Sequence, residues 1–247
     1  MATKDLFSGH AHLYAAFRPT YPDELFDYIF TLVQNRTLAW DCATGNGQVA
    51  LRLARDFDRV FASDISAQQI QNAFAAPNIA YSVQAAEKTN YPDRSFDLIT
   101  VAQALHWIDL QPFYDEVNRV GKKGAVIAVW GYSNISVEDH IDEHIRYLYN
   151  DLVGKYWDQA RRLVESEYTS LPFPFSDVVE PQFKIKTNWT LQHLAGYLQS
   201  WSATQAYIRA TGKDPVPDVM TKIVPYWGVD KERIVSFPVF TKIGRVN

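Results

Sequence analysis

Cysteine is almost absent from this 247-residue chain: Cys42 stands alone, so no internal disulfide can form and nothing suggests an oxidising compartment. No apolar run approaches eighteen residues, which excludes a membrane-spanning helix. Met1 to His10 carry neither an apolar core nor a cleavage signature, and the expectation is a cytoplasmic protein. On that expectation the glycosylation-like triplets at Asn35, Asn134 and Asn188 are chance matches. Positive charge is not in surplus either. With 24 Lys+Arg against 28 Asp+Glu the net charge is −4, which argues against a general nucleic-acid or acidic-membrane binder. Arg161-Arg162 and Lys122-Lys123 are too few to line an RNA groove. No internal repeat of 20–50 residues is visible, so solenoids are excluded. What the chain has in quantity is aromatic: 7 Trp, 14 Tyr and 14 Phe, enough for a packed core and a lined pocket. At about 150 residues per domain, one elaborated domain over residues 1–247 is expected.

The first half alternates strand and helix. Leu38 to Cys42 is a short apolar run broken by Thr44-Gly45-Asn46-Gly47, after which Ala50, Leu53, Ala54 and Phe57 recur at helical spacing. Val60 to Asp64 reads as a second strand, and Ser66 to Gln69 as a capping box opening a helix. Ile79–Val83, Phe96–Val101 and Ala125–Trp130 are further strands, with a helix through Leu110, Phe113, Tyr114 and Val117. This alternation specifies βαβ units, a parallel sheet and helices on both faces. The second half reads differently. A capping box at Ser136 to Asp139 introduces a helix through Ile141, Ile145, Leu148 and Leu152, and Trp157, Ala160, Val164 and Tyr168 suggest another. Leu171 to Phe175 is a Pro-rich break, Phe183–Trp189 alternates like a strand, and Leu191, Leu194, Leu198 and Trp201 return to helical spacing. Ile234–Ile243 is strand-like, with an irregularity expected at Pro238. Residues 1–130 form a nucleoside-binding half, and 131–180 and 190–230 are helical additions over the acceptor site.

Open parallel sheets bind ligands beyond the carboxyl ends of their strands. Here that edge carries Asp41, the Gly45 and Gly47 turn, Asp64, Gln84 to Glu87, and Gln103 to Trp107. Glycines let backbone approach a ligand closely, and Asp64, nineteen residues past Gly45, is spaced to accept the hydroxyls of a ribose. Two ligand classes fit. Gly45-x-Gly47-x-x-Ala50 satisfies the dinucleotide fingerprint of a nicotinamide oxidoreductase, but Asp41 at the strand end has the wrong sign for a diphosphate. A cofactor-binding protein without turnover is a third reading.

Asp41-Cys42-Ala43-Thr44-Gly45-Asn46-Gly47 resembles the first motif of the S-adenosylmethionine-dependent methyltransferases with a seven-stranded Rossmann-like fold. The resemblance continues through Asp64-Ile65, Ala86-Glu87, Tyr91 to Asp97 and Gln103 to Trp107. Tyr14 to Pro22, Leu198 to Trp201 and Phe237 to Phe240 are similar to a small-molecule branch that includes trans-aconitate methyltransferase-like proteins. It implies a doubly wound, mostly parallel seven-stranded sheet with an antiparallel C-terminal strand. It also implies S-adenosylmethionine as cofactor and methyl transfer to a small-molecule acceptor, a carboxylate being one candidate. Asp64 would hold the ribose, Ile65 would pack on adenine, and Ala85, Ala86 and Glu87 would rim it. Ala43, Thr44, Gly45, Gly47 and Gln103 would face the methionine portion, and Asp41 would orient its ammonium directly or through water. Ala43 departs from the motif, where the family has glycine. A positive φ there would cost alanine about 1 kcal/mol.

For an amine or hydroxyl acceptor His106 is the candidate base by location, against the plainer reading of a hydrogen-bonded loop histidine beside Trp107. Tyr14, Arg18, Trp107, Trp130, Trp201 and Tyr207 are the candidate acceptor-pocket residues, with Arg18 pairing an anionic group. His140-Ile-Asp-Glu143-His144 spells an inverted zinc-protease signature, but no third ligand is announced and no metal is expected. Cys42 reads as a buried apolar residue. Oligomeric state is not readable.

Overall fold

The computed structural model describes residues 17–228 and 230–247. A helix α1 (Asp23–Leu32) precedes an alternating series: β1 (Leu38–Cys42), α2 (Gln48–Leu53), β2 (Arg59–Asp64), α3 (Ala67–Gln71) and β3 (Ile79–Val83). β4 (Phe96–Ala102), a 3₁₀ turn (Leu105–Trp107), α4 (Leu110–Val120) and β5 (Gly121–Tyr132) complete the first half. The second half contains α5 (Asp139–Tyr147), which runs into a wider helical turn (Leu148–Leu152), then a 3₁₀ turn (Gly154–Tyr156) and α6 (Arg161–Glu165). β6 (Ser176–Val179), β7 (Phe183–Trp189), α7 (Leu191–Gln199), α8 (Ser202–Thr211), α9 (Val216–Trp227) and β8 (Arg233–Arg245) follow.

The strands form one sheet in the order β3-β2-β1-β4-β5-β8-β6, with β7 also on β8. β1 to β5 are mutually parallel, and β8 runs antiparallel to β5, Val126 facing Arg245 and Tyr132 facing Val239. β6 and β7 occupy a single position. Val179 pairs Ile243 and Phe183 pairs Val239 in the same register, so they are two lengths of one edge strand broken around Pro181. Eight strands therefore fill seven positions, the expected Rossmann-like arrangement.

Side-chain alternation builds a core on each face. Ala39, Val126, Ala128 and Trp130 point into one cluster with Leu25, Ile29 and Leu53, whereas Trp40, Cys42, Ile127 and Val129 point into the other with Phe113 and Val117. Burial on both faces is why these strands read as continuous apolar runs. Most of the helical additions join the first cluster: α9 packs on α5 and α7, bringing Ile141, Leu194 and Trp227 onto the sheet.

Three local expectations change. Ser136 does not cap α5; its hydroxyl donates to Asp142 at 2.8 Å, and that carboxylate also accepts from the Val137 N–H at 2.8 Å. The helix expected from Trp157 to Tyr168 shrinks to Arg161–Glu165, because Glu167 and Tyr168 adopt φ of 53° and 57° and end it. At Pro238 the register runs unbroken against Lys184, and the Pro238 carbonyl accepts from Ser133 just past the last β5 pair. The missing N–H therefore falls where that ladder already stops.

Candidate functional site

Chain order reverses at β1, whose neighbours are β2 on one side and β4 on the other, and a crevice opens beyond the strand ends there. The cleft encloses ≈ 1150 Å³ of space, its open mouth included. The first-strand turn, the end of β2, the segment after β3 and the end of β4 all contribute to it.

Asp64 joins the first two. One carboxylate oxygen accepts the Gly45 N–H at 2.8 Å and the other accepts the Ser66 N–H at 2.8 Å. Ser66 in turn caps α3 by accepting from the Gln69 N–H. Asp64 holds both loops and lines the cleft, and a carboxylate is an acceptor-only group of the kind that takes ligand hydroxyls. Beside it Ile65 is 48% exposed, an apolar surface at the mouth. Ala85, Ala86 and Glu87 form the opposite rim, and Glu87 accepts the Asp109 N–H at 3.0 Å where α4 begins. Gln103 adopts φ 52° at the end of β4, and its side-chain oxygen accepts the Tyr132 N–H at 2.7 Å. A Cβ on Gly131 would lie 2.7 Å from that oxygen, so glycine is required there.

Nine of the eleven residues expected to bind cofactor therefore line one cleft: Ala43, Thr44, Gly45, Asp64, Ile65, Ala85, Ala86, Glu87 and Gln103. Two do not. Asp41 is buried beneath the loop, accepting from Thr44 Oγ1 and, at 2.8 Å, from Thr100 Oγ1. Direct contact with a ligand ammonium is thus corrected to support of the loop, and burial raises the Asp41 carboxyl to about 6. Gly47 is also buried. It opens α2 at φ 79°, and a Cβ there would collide with the Tyr81 hydroxyl, so the glycine serves packing and turn geometry. Ala43 sits at φ 53°, the left-handed conformation that favours glycine. The adjacent Cys42 is fully buried, and burial pushes its thiol up.

The acceptor expectations fare differently. Trp107 lines the cleft, but Trp130, Trp201 and Tyr207 do not. Trp130 is fully buried against Tyr21 and Phe26, and Trp201 is buried among Tyr149, Trp157 and Tyr197. Tyr207 packs edge-on to Tyr156. Arg18 donates to the Tyr132 hydroxyl at 2.9 Å, stands over the Tyr197 ring at 5.4 Å and is not part of the cleft lining. Tyr14 lies outside the described residues. His106 turns away from the cleft: its Nδ1 is 2.7 Å from the Tyr168 hydroxyl. Burial, with the Arg161 charge second, lowers its pKa to about 3, which makes it a poor base. His140 and His144 pack against Tyr226, and among the described residues no group of three metal-ligating side chains occurs.

Sequence reasoning missed Tyr21, Gln48, Ser66 and Gln69 in the lining, and it placed Asn46 and Gln84 at the ligand edge without naming them as binding residues. Tyr21 belongs to the same Arg18 to Pro22 stretch that pointed to Arg18, so the segment was visible but the residue facing the cleft was not. The lining contains two carboxylates, Asp64 and Glu87, and among the described residues no Lys or Arg. Such a cleft suits a cationic or zwitterionic nucleoside and disfavours a diphosphate.

Comparison with known proteins gives the same direction. Residues 40–129 match the pattern of a methyltransferase domain. A chain of Dictyostelium discoideum assigned as a methyltransferase is 33% identical over 96% of this chain and 93% of its own length. A solved structure from Anaeromyxobacter dehalogenans, assigned as a type II methyltransferase, superposes with a TM-score of 0.87 at 38% identity, covering 94% of this chain and 99% of that one. The fold is also shared by Haemonchus contortus phosphoethanolamine N-methyltransferase 2, solved with phosphomonomethylethanolamine and S-adenosylhomocysteine. That likeness has a TM-score of 0.50 at 14% identity, covering 99% of this chain and 60% of the other.

Proposed function

The chain belongs to the S-adenosylmethionine-dependent methyltransferases, and on that premise we propose that it methylates a small-molecule acceptor bearing a carboxylate. When bound, S-adenosylmethionine supplies a methyl group already activated by a positively charged sulfur. The residues present fit it. The Asp64 lone pairs can take the ribose hydroxyls, Ile65 offers apolar surface for the adenine, and Ala85 to Glu87 supply the rim on the other side. Ala43, Thr44, Gly45 and Gln103 surround the remaining length, where Glu87 and Asp64 favour positive charge.

The observation that carries this reading is the convergence on Asp64: one carboxylate holds the Gly45 turn and the start of α3 at the edge of a cleft that no described Lys or Arg lines. The chain's contribution is positional. Trp107 and Tyr21 line the cleft and would align an acceptor for in-line attack. Among the described residues no His or Lys lines the cleft. His106 is turned away and lowered in pKa, which favours a nucleophile needing no deprotonation, such as a carboxylate. Calorimetry with S-adenosylhomocysteine tests the cofactor half: wild type should bind, and Asp64→Ala should bind about ten- to a hundredfold more weakly, since hydrogen bonds to a charged acceptor contribute roughly 1.5–3 kcal/mol. Incubation with methyl-labelled cofactor and an anion-exchange fraction of small metabolites tests the acceptor half. Label released as methanol by mild base marks a methyl ester; label that survives base overturns the carboxylate reading.

A further inference from the structure

We propose that Tyr168 is a positioning residue for methyl transfer: through its hydrogen bond to His106 it fixes the turn that presents Trp107 to the cleft, a role that rests on the methyl-transfer reading above. The Leu105–Trp107 turn is short, and its last residue lines the cleft. Inside it the Trp107 N–H donates to the Ala104 carbonyl at 2.9 Å, and the His106 and Trp107 rings lie together with centroids 4.7 Å apart. The setting of the indole therefore depends on where His106 is held. Its Nδ1 is 2.7 Å from the Tyr168 hydroxyl. Tyr168 is itself fully buried, with its ring edge-on to Phe240 at 5.1 Å. Burial pushes the Tyr168 phenol up, and the backbone N–H groups of His106 and Leu105 oppose that rise, so ring and backbone of the turn converge on one oxygen.

The chain adopts an unfavourable conformation to place that oxygen. Glu167 and Tyr168 are consecutive non-glycine residues at φ 53° and 57°, and such residues persist only where their surroundings hold them, most often near functional sites. The Tyr168 N–H returns to the Leu163 carbonyl at 2.9 Å, and Glu167 accepts from the Ser133 hydroxyl at 3.2 Å. Ser133 follows Tyr132, the last residue of β5, whose N–H is held by the cleft residue Gln103. The two left-handed residues thus tie the end of α6 to the turn after β4 and to the end of β5. The chemistry of the bond is equally definite. A phenol oxygen that faces backbone N–H groups turns its own proton toward Nδ1, which leaves the His106 proton on Nε2. That acceptor role requires a neutral imidazole, and burial keeps His106 neutral. The property that makes His106 a poor base therefore suits it as an anchor.

The test uses the full chain labelled with fluorotryptophan and saturated with S-adenosylhomocysteine, the Trp107 fluorine resonance being assigned by its loss in Trp107→Phe. In wild type that resonance should be single and sharp, and nitrogen NMR should find the His106 proton on Nε2 alone. Tyr168→Phe keeps the ring packing and removes only the hydroxyl. It should broaden or split the Trp107 resonance while the other tryptophan resonances hold. Methyl transfer from labelled cofactor to the metabolite fraction used above should slow about ten- to a hundredfold at saturating cofactor, with S-adenosylhomocysteine affinity within about twofold. His106→Asn, whose amide oxygen can stand in for Nδ1, should keep the sharp resonance, whereas His106→Leu should behave like Tyr168→Phe. A Trp107 resonance unaltered by Tyr168→Phe, transfer at the wild-type rate in that variant, or a His106 proton on Nδ1 overturns the assignment. Loss of all tryptophan resonances together in Tyr168→Phe and His106→Leu also overturns it, since the bond would then support the fold at large. Failure of S-adenosylhomocysteine to bind wild type, or wild type that transfers no label, would instead strike the methyl-transfer reading, and the Trp107 resonance would still decide the anchoring.

Discussion

Asp41 and Ala43 lie within three positions of one another, and each carries a cost that the neighbouring structure holds in place. Asp41 is a buried carboxyl satisfied by two hydroxyls, its carboxyl raised to about 6 by burial. A folded-state pKa above the unfolded value means that the native state binds more protons between about pH 4 and 6. Stability from this group is therefore greatest at low pH and falls as pH rises through that window, by about 3 kcal/mol in total. His106 acts oppositely, because a lowered pKa makes the native state bind fewer protons below 6.5. The clean measurement is a difference: denaturant melts of wild type and Asp41→Asn from pH 4 to 7 should show wild type losing ground to the variant as pH rises. A gap that stays constant would place the carboxyl in a better-solvated setting. Ala43 holds φ 53° without a glycine's freedom, so Ala43→Gly should raise stability by about 0.5–1 kcal/mol, read as a shift in denaturant midpoint. The reverse change at Gly47 is not symmetrical, since the Tyr81 hydroxyl already fills the space. Gly47→Ala should cost more than strain alone.

Among the elements, those bounded by turn chemistry were legible in the sequence to the residue. β1, β3 and β7 coincide with their apolar or alternating runs because Gly, Asn or Pro follows or precedes each closely. α6 was not legible, because its apolar spacing continues through residues whose backbone leaves the helix. Residue type also could not say which aromatic faces the site. Trp130 lies on the same side of β5 as Val126 and Ala128, so strand alternation buries it, and only the register shows which face that is. The clamp on the segment after β3 was likewise hidden, being long-range. Glu116 on α4 accepts from both the Thr89 N–H at 2.7 Å and its hydroxyl at 2.5 Å, and Arg119 reaches the Tyr91 carbonyl at 2.8 Å and Asp93 at 2.6 Å. These bonds hold the stretch that presents Ala85 to Glu87 without touching the cleft. Glu116→Gln should therefore weaken S-adenosylhomocysteine severalfold and speed amide exchange over residues 84–93, while the exchange of β1 and β4 is unchanged. Affinity and exchange both at wild-type values would show that the segment is held by its own turns.

For the molecule as a whole, net charge of −4 conceals a division that the average cannot report. The cleft lining has Asp64 and Glu87 and, among the described residues, no cation; Arg18 and Arg161 are not part of it. The glycine pattern alone permitted a dinucleotide, because a tight strand-to-helix turn is common to both ligand classes. The charge of the surrounding wall separates them, and that wall is assembled from segments as far apart as residues 21, 64, 87 and 107. A diphosphate carried into this space would meet two carboxylates with no guanidinium or ammonium to compensate them. NADH should accordingly give no measurable heat at millimolar concentration in the calorimeter that detects S-adenosylhomocysteine. Added salt sharpens the comparison. If like-charge repulsion is what excludes the dinucleotide, raising ionic strength from about 0.01 to 0.15 M shortens the screening length from about 30 to 8 Å and should ease that exclusion. NADH binding that strengthens with salt is what an acidic wall requires; binding that salt leaves unchanged would mean that the shape of the cleft, and not its charge, excludes the dinucleotide.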